Sequence, residues 1–95
     1  MGAEKNLTRR VRAWLDEKVG WHMKVAGGPL QRRGIPDIVG CHAGRFFAIE
    51  LKAPNGRTTL SQEVEIARLI EAGARVCVAR TLAEVQQFFS AEAES

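Results

Sequence analysis

The sequence lacks long apolar runs, has only two cysteines in 95 residues, and contains no internal repeats or low-complexity segments. No stretch approaches the roughly 18–20 apolar residues that cross a bilayer, so we expect no membrane contact. The first ten residues, MGAEKNLTRR, lack the apolar core of a secretory signal, which favours a cytoplasmic protein. With 45% hydrophobic and 26% charged residues, the composition is typical of one globular domain, here residues 1–95.

The two cysteines, Cys41 and Cys77, each lie in or beside an apolar stretch. Cys41 and the adjacent His42 lack the CxxC-type spacing that makes a zinc site credible. We therefore expect both thiols to be buried and reduced, with no disulfide between them.

The net charge of +3 is unevenly distributed along the chain. Residues 1–57 hold eleven Lys and Arg against five Asp and Glu, whereas residues 58–95 hold three against six. A basic segment of this kind could bind the phosphates of a polyanion, and a solvated surface is the alternative. The residues that could make such contacts are Lys5, Arg9, Arg10, Arg12, Lys24, Arg32, Arg33, Arg45 and Arg57.

The first predicted element is a helix from Glu4 to Val19, which Gly20 ends. Its apolar residues recur at helical spacing; they are Leu7, Val11, Trp14 and Leu15. Glu4 lies on the same side of this helix, so the stripe predicts an acid on the buried face. Either this carboxylate has a function, or it stays hydrated at a frayed first turn where it favours the helix dipole.

Strands are predicted at 21–25, 35–40 and 45–53. The last two are separated by a turn at Ala43 and Gly44, which predicts a β-hairpin. Opposed residues then sum to 87, so Asp37 lies across from Glu50, with Lys52 two positions further on the same face. The loop at 26–34 between the first two strands is glycine-rich and basic.

The C-terminal half predicts a helix, a strand and a second helix. A capping box at 59–62 starts the helix that precedes this strand, and its apolar stripe is Leu60, Val64, Ala67 and Ile70. The strand at 75–80 should lie parallel to 45–53, because a helix connects the two. A final helix starts at Leu82. The order α-β-β-β-α-β-α predicts the α/β class, with a mixed four-stranded sheet flanked by helices.

Asp37, Glu50 and Lys52 are unusual strand residues that share one predicted face. An ion pair on a solvated sheet face is the simple explanation. The apolar surroundings, FFAIELKA, favour a covered strand instead, where two carboxylates repel unless a cation lies between them. Two carboxylates and a backbone carbonyl suit Mg²⁺ or Mn²⁺.

These residues resemble a known nuclease signature. The segments GIPD at 34–37 and AIELK at 48–52, followed by Gln62, are similar to the PD-(D/E)xK motif in its VRR-NUC (virus-type replication-repair nuclease) form. The resemblance spans residues 4–80 and implies a restriction-endonuclease-like fold. It implies a metal held by Asp37, Glu50 and the Leu51 carbonyl, and catalytic roles for Glu4, Asp37, Glu50, Lys52 and Gln62.

The same resemblance implies a Mg²⁺- or Mn²⁺-dependent deoxyribonuclease acting on branched or four-way junction DNA, and a homodimer. Lys24 resembles a basic strand residue of this family. The predicted DNA-binding residues are therefore Lys24, Arg9, Arg10, Arg12, Arg32 and Arg33. Candidate dimer surfaces are the Trp14 and Trp21 region and the Phe46 edge. The alternatives are a DNA-binding module that does not cut, and a domain whose acidic C-terminal half binds a basic protein.

Overall fold

Three helices and four strands make up the structure, a computed structural model that describes residues 2–94. In chain order they are α1 (Ala3–Lys18), β1 (His22–Lys24), β2 (Ile38–His42), β3 (Arg45–Leu51), α2 (Leu60–Glu71), β4 (Arg75–Ala79) and α3 (Leu82–Glu94). The predicted α-β-β-β-α-β-α order is confirmed. No helix within the described residues combines the length and apolar character that a membrane span requires.

The four strands form one mixed sheet in the order β1-β2-β3-β4. The β1–β2 and β2–β3 pairs are antiparallel, whereas β3 and β4 are parallel because α2 carries the chain back between them. In the hairpin Ile38 pairs with Ile49 and His42 with Arg45, which confirms the predicted register. Ala43 and Gly44 both have positive φ angles, as a tight two-residue hairpin turn requires.

The second strand begins later than the sequence predicts. We expected it from residue 35, but β2 starts at Ile38. Gly34 has a φ of +82° and Pro36 has no N–H to donate to a neighbouring strand, so the chain enters the sheet only beyond them. Asp37 is thereby left at the entrance of the strand.

The hydrophobic core lies between one face of the sheet and the helices α1 and α3. Alternate residues of β3 point into it, because side chains of a strand alternate between faces. The ring of Phe47 meets that of Phe89 edge-on at 5.0 Å. The fully buried core members include Val11, Leu15, Ile38, Ile49, Leu51 and Val85. Trp14 is half-buried and packs against this core, with its ring centroid 5.7 Å from that of Phe89.

The helix α2 lies over the opposite face of the sheet, where it contacts β4 and reaches Glu50. Its predicted apolar stripe points away from the sheet: Leu60 is 77% exposed and Ile70 is 55% exposed. Glu65 is instead the residue of α2 that is buried. The helix is rotated in this way because its polar side makes hydrogen bonds and ion pairs with the sheet and the 26–34 loop.

The first strand is also turned so that apolar residues are exposed. Trp21 and Met23 are exposed on the sheet face that lies opposite the core, whereas the side chain of His22 is covered and lies 3.6 Å from Asp16 of α1. Phe46 and Cys41, which pair across the β2–β3 hairpin, lie on the same face as Trp21 and Met23. Trp21, Met23, Cys41 and Phe46 together form an exposed apolar surface, here called the open face.

The two thiols differ in their surroundings. Cys77 is buried, as predicted, and burial raises its pKa to about 11. The prediction that Cys41 is buried is wrong, because it lies on the open face, where no helix covers it. Both cysteines are free thiols.

Gly34 holds the loop tightly against the start of α2. A Cβ at this position would collide with the carbonyl group of Ser61 and lie 2.9 Å from the backbone nitrogen of Gln62. Because the φ angle is also in the left-handed region, we expect Gly34→Ala to lower the free energy of unfolding by about 2–4 kcal/mol.

Urea denaturation measures this loss, with Gly27→Ala as the matched control. Gly27 belongs to the same loop but has open space around it, so its replacement should change stability by less than about 0.5 kcal/mol. Equal stability of the two variants would contradict the tight contact.

Candidate active site

The candidate site lies where β2 begins and β3 ends. Asp37 directly precedes β2, Glu50 is in β3, and Lys52 follows the end of β3. The hairpin register, continued by one residue, sets Asp37 opposite Glu50. The Oδ2 atom of Asp37 accepts a hydrogen bond from the backbone nitrogen of Leu51 at 2.8 Å, which fixes the aspartate against the end of β3.

Glu50 is the centre of this site and is only 3% exposed. Its Oε2 atom accepts a hydrogen bond from Nε2 of Gln62 at 3.0 Å and contacts Nζ of Lys52 at 3.3 Å. The Lys52 side chain is itself largely covered, with 12% exposed. The two partners provide the charge and hydrogen bonding without which a buried carboxylate is strongly destabilising.

The orientation of Gln62 follows from the start of α2. Thr59 and Gln62 form the predicted capping box: Gln62 N donates to Thr59 Oγ1 at 3.2 Å, and Thr59 N donates to Gln62 Oε1 at 2.9 Å. Because the amide oxygen is used in the cap, the amide nitrogen is left to point at Glu50. A local helix signal therefore aims a side chain into the site.

The electrostatics of the site favour a bound cation. Burial, followed by the negative charge of Asp37, raises the pKa of Glu50 to about 7, although the positive charge of Lys52 opposes both effects. A positive ion between the two carboxylates would remove this repulsion.

The donor atoms fit Mg²⁺ or Mn²⁺, which prefer oxygen ligands and keep several waters. Among residues 2–94, no three His, Cys, Asp or Glu side chains come close enough to form a complete ligand set by themselves. An ion here would be held by Asp37 and Glu50, with the Leu51 carbonyl as the further predicted ligand.

Glu4 approaches the site from α1. The prediction that it lies on the buried helix face is wrong, because the first turn of α1 leaves Glu4 exposed. It lines a cleft of about 690 Å³ together with Asp37, and its charge contributes to the raised pKa of Glu50. The structure thus brings Glu4 near the two strand carboxylates.

The predicted DNA-binding residues of the helix and first strand separate into two groups. Arg9, Arg12 and Lys24 line the same cleft as Glu4 and Asp37. Arg10 is exposed on α1 but is not among the residues that line this cleft.

Arg32 and Arg33 also differ from each other. Both line a second, smaller cleft with Lys24 and Asp37, but Arg32 also forms an ion pair. The guanidinium of Arg32 contacts Oε1 of Glu65, with both Nε and Nη2 at 2.8 Å, and Arg68 contacts the same oxygen at 3.3 Å. This ion pair ties the 26–34 loop to α2.

Glu65 was not among the residues singled out from the sequence. The signal that could have found it is its spacing from Gln62, because residues three apart share one side of a helix. If Gln62 faces the site, Glu65 must also face inward, where a buried carboxylate requires a cationic partner.

We expect Glu50→Gln to change how stability depends on pH. In the folded protein Glu50 keeps its proton up to about pH 7, whereas a glutamate in the unfolded chain loses it near pH 4.5. The folded state therefore loses stability as pH rises through this window, by roughly 3 kcal/mol at pH 8 relative to pH 4.

Glutamine does not ionise, so Glu50→Gln should gain stability relative to wild type over the same interval. Urea denaturation in EDTA between pH 4 and 8 measures this difference, with the exposed Glu71→Gln as control. Parallel pH profiles for wild type and Glu50→Gln would contradict the expectation.

Comparison with known proteins identifies similar structures but no similar sequence. No protein-family model matches the chain, and no curated protein matches it. A solved structure named "VRR_NUC domain" superimposes with a TM-score of 0.78 at 20% identity, covering 95% of this chain and 97% of the other. A second, named "VRR_NUC domain protein", gives a TM-score of 0.75 at 18% identity, covering 92% and 84%. The chain therefore has the restriction-endonuclease-like fold of these VRR_NUC domains, as the resemblance predicted.

Proposed function

We propose that this protein is a VRR-NUC nuclease that hydrolyses DNA phosphodiester bonds with the help of Mg²⁺ or Mn²⁺. The observation that carries the proposal is that Asp37 and Lys52 converge on the buried carboxylate of Glu50. Two acids and a lysine at this position match the motif by which the sequence resembles that family. The basic cleft beside them supports DNA as the substrate.

Each site residue has a separate task in this proposal. Asp37 and Glu50 would hold the divalent ion, which when bound would polarise the scissile phosphate and acidify a water. Lys52 Nζ, held beside Glu50, stabilises the negative charge that develops on the phosphate oxygens. Gln62 keeps the Glu50 carboxylate oriented through its 3.0 Å hydrogen bond. Glu4, which lines the cleft beside Asp37, adds a negative charge that would attract the ion.

The proposal predicts that Asp37→Asn and Lys52→Ala each reduce cleavage at least 100-fold, for different reasons. Loss of the aspartate charge should weaken Mn²⁺ binding, whereas loss of the lysine should leave Mn²⁺ affinity nearly unchanged. Cleavage of labelled linear and branched DNA, together with calorimetric titration of Mn²⁺, measures both properties.

The matched control for these variants is Glu71→Gln, which changes an exposed acid at the end of α2. Asp37→Asn should still bind DNA, because backbone contacts are made by cationic side chains elsewhere. Cleavage by Asp37→Asn within tenfold of wild type would contradict the metal site. DNA binding without cleavage by the wild-type protein in Mg²⁺ and Mn²⁺ would favour the module that does not cut.

We further propose that two copies of the chain pair through the open face. Trp21 is 62% exposed, Met23 48% and Phe46 39%, and these side chains share one side of the sheet. A domain of this size buries a modest fraction of its surface, so covering such a patch adds stability. A two-fold pair also provides one site for each of two strands, which suits branched or four-way junction DNA.

Sedimentation at micromolar concentration tests the pairing. We expect a mass of twice 10.5 kDa for the wild type and a shift to the monomer for Trp21→Glu combined with Phe46→Glu. Leu30→Glu is the matched control, because Leu30 is fully exposed but lies in the loop outside the open face. A monomeric wild type, or dissociation by Leu30→Glu alone, would contradict the proposed surface.

A further inference from the structure

A cleft with a basic wall extends from the candidate site along α1. At one end lie the acids Glu4 and Asp37, which belong to the proposed metal site. Beyond them the cleft is lined by Lys5, Arg9 and Arg12 from α1 and by Lys24 from β1. Four cations thus face a space that opens directly on the carboxylates.

The spacing of the three helical cations matches a run of phosphates. Lys5, Arg9 and Arg12 are separated by four and three residues, so they lie on one side of α1. At 1.5 Å per residue they span about 10 Å of the helix axis. One strand of duplex DNA has a phosphate about every 3.4 Å along its axis, so the row is long enough for two or three phosphates.

The row of cations formed by Lys5, Arg9 and Arg12 ends before Asp16. Asp16 lines the cleft about three turns along α1 from Glu4, and its carboxylate lies 3.6 Å from Nδ1 of His22. A negative charge at this position repels a phosphate, so the contacts should stop near Arg12. The cleft therefore accommodates a short stretch of backbone of defined length.

We propose that this cleft binds the sugar–phosphate backbone of one DNA strand on one side of the scissile phosphate. Lys5, Arg9, Arg12 and Lys24 contact the two or three phosphates that follow the cut, and Arg10 takes no part. This inference rests on the proposed nuclease function, because it takes Asp37 and Glu50 as the point from which the strand leaves. It assigns the contacts to phosphates and predicts no preference for base sequence.

The binding test uses the full chain in EDTA, so that no cleavage occurs. Fluorescence anisotropy with a labelled duplex at several salt concentrations gives the slope of log Kd against log salt. We expect Arg9→Gln and Arg12→Gln each to reduce this slope by about one, and the double variant by about two. Arg10→Gln, on the same helix but outside the cleft, is the matched control and should leave the slope unchanged.

Arg9→Lys separates loss of charge from damage to the helix. It should keep the wild-type slope, because lysine also neutralises a phosphate. If Arg10→Gln reduces the slope as much as Arg9→Gln, or if the double variant leaves the slope unchanged, the inference is overturned. Circular dichroism should give the same helix content for all five variants, and a loss of helix in Arg9→Gln that Arg9→Lys does not restore would also count against it.

Neutral methylphosphonate linkages locate the contact on the strand when they are placed in a branched DNA whose cut position has first been mapped with the wild-type protein in Mn²⁺. With the wild-type protein, two such linkages directly beside the cut on one side should weaken binding several-fold, and the same change on the other side should have less effect. The Arg9→Gln, Arg12→Gln double variant should be insensitive to the substituted side. Equal sensitivity on both sides would overturn the one-sided path.

The outcomes distinguish this inference from the proposed function. If the salt slopes fall as expected but Asp37→Asn still cuts DNA, the cleft binds phosphates and the proposed nuclease site is wrong. If Asp37→Asn abolishes cleavage but the slopes do not change, the nuclease proposal stands and the strand path is wrong.

Discussion

The buried carboxylate of Glu50 is the constraint on which much of the structure depends. A charge that is 3% exposed requires partners, and it has Lys52 and Gln62. Gln62 can reach it only if the polar side of α2 faces the sheet. Gly34 permits this by letting the loop backbone lie directly against the start of the helix. The position of α2 therefore depends on a buried charge and on a missing side chain as well as on its half-buried apolar residues, Ile66 and Leu69.

This arrangement leaves apolar surface outside the core. With the polar side of α2 turned inward, Leu60, Val64 and Ile70 are exposed, and the other apolar surface, the open face, is covered by no helix. Most of the buried apolar residues then lie in the core between the sheet and the pair α1 and α3. A small domain has little stability to spare, so a second copy packed on exposed apolar residues would compensate for what the site requires.

The sequence predicts the backbone of the site better than its surroundings. The hairpin register could be predicted, because a two-residue turn fixes which residues of the two strands pair. The alternation of side chains along each strand then places Asp37 and Glu50 opposite each other on one face. The capping box likewise predicted where α2 begins. The side of α2 that faces the sheet could not be predicted, because an apolar stripe shows that a helix has a buried face but not whether this chain or another covers it. For the same reason Cys41, in an apolar strand, was wrongly expected to be buried.

The basic half of the sequence shows a second limit of pattern alone. Its arginines are alike in the sequence, yet the fold gives them different tasks. Glu65 is buried and attracts Arg32, so that charge holds a loop in place. Arg9 and Arg12 are on exposed turns of α1 and face the cleft. Among the described contacts, neither forms an ion pair with a buried carboxylate. A buried acid neutralises the arginine nearest to it, and the cations that line a cleft without a buried acid are those to which the proposed strand path assigns the phosphate backbone.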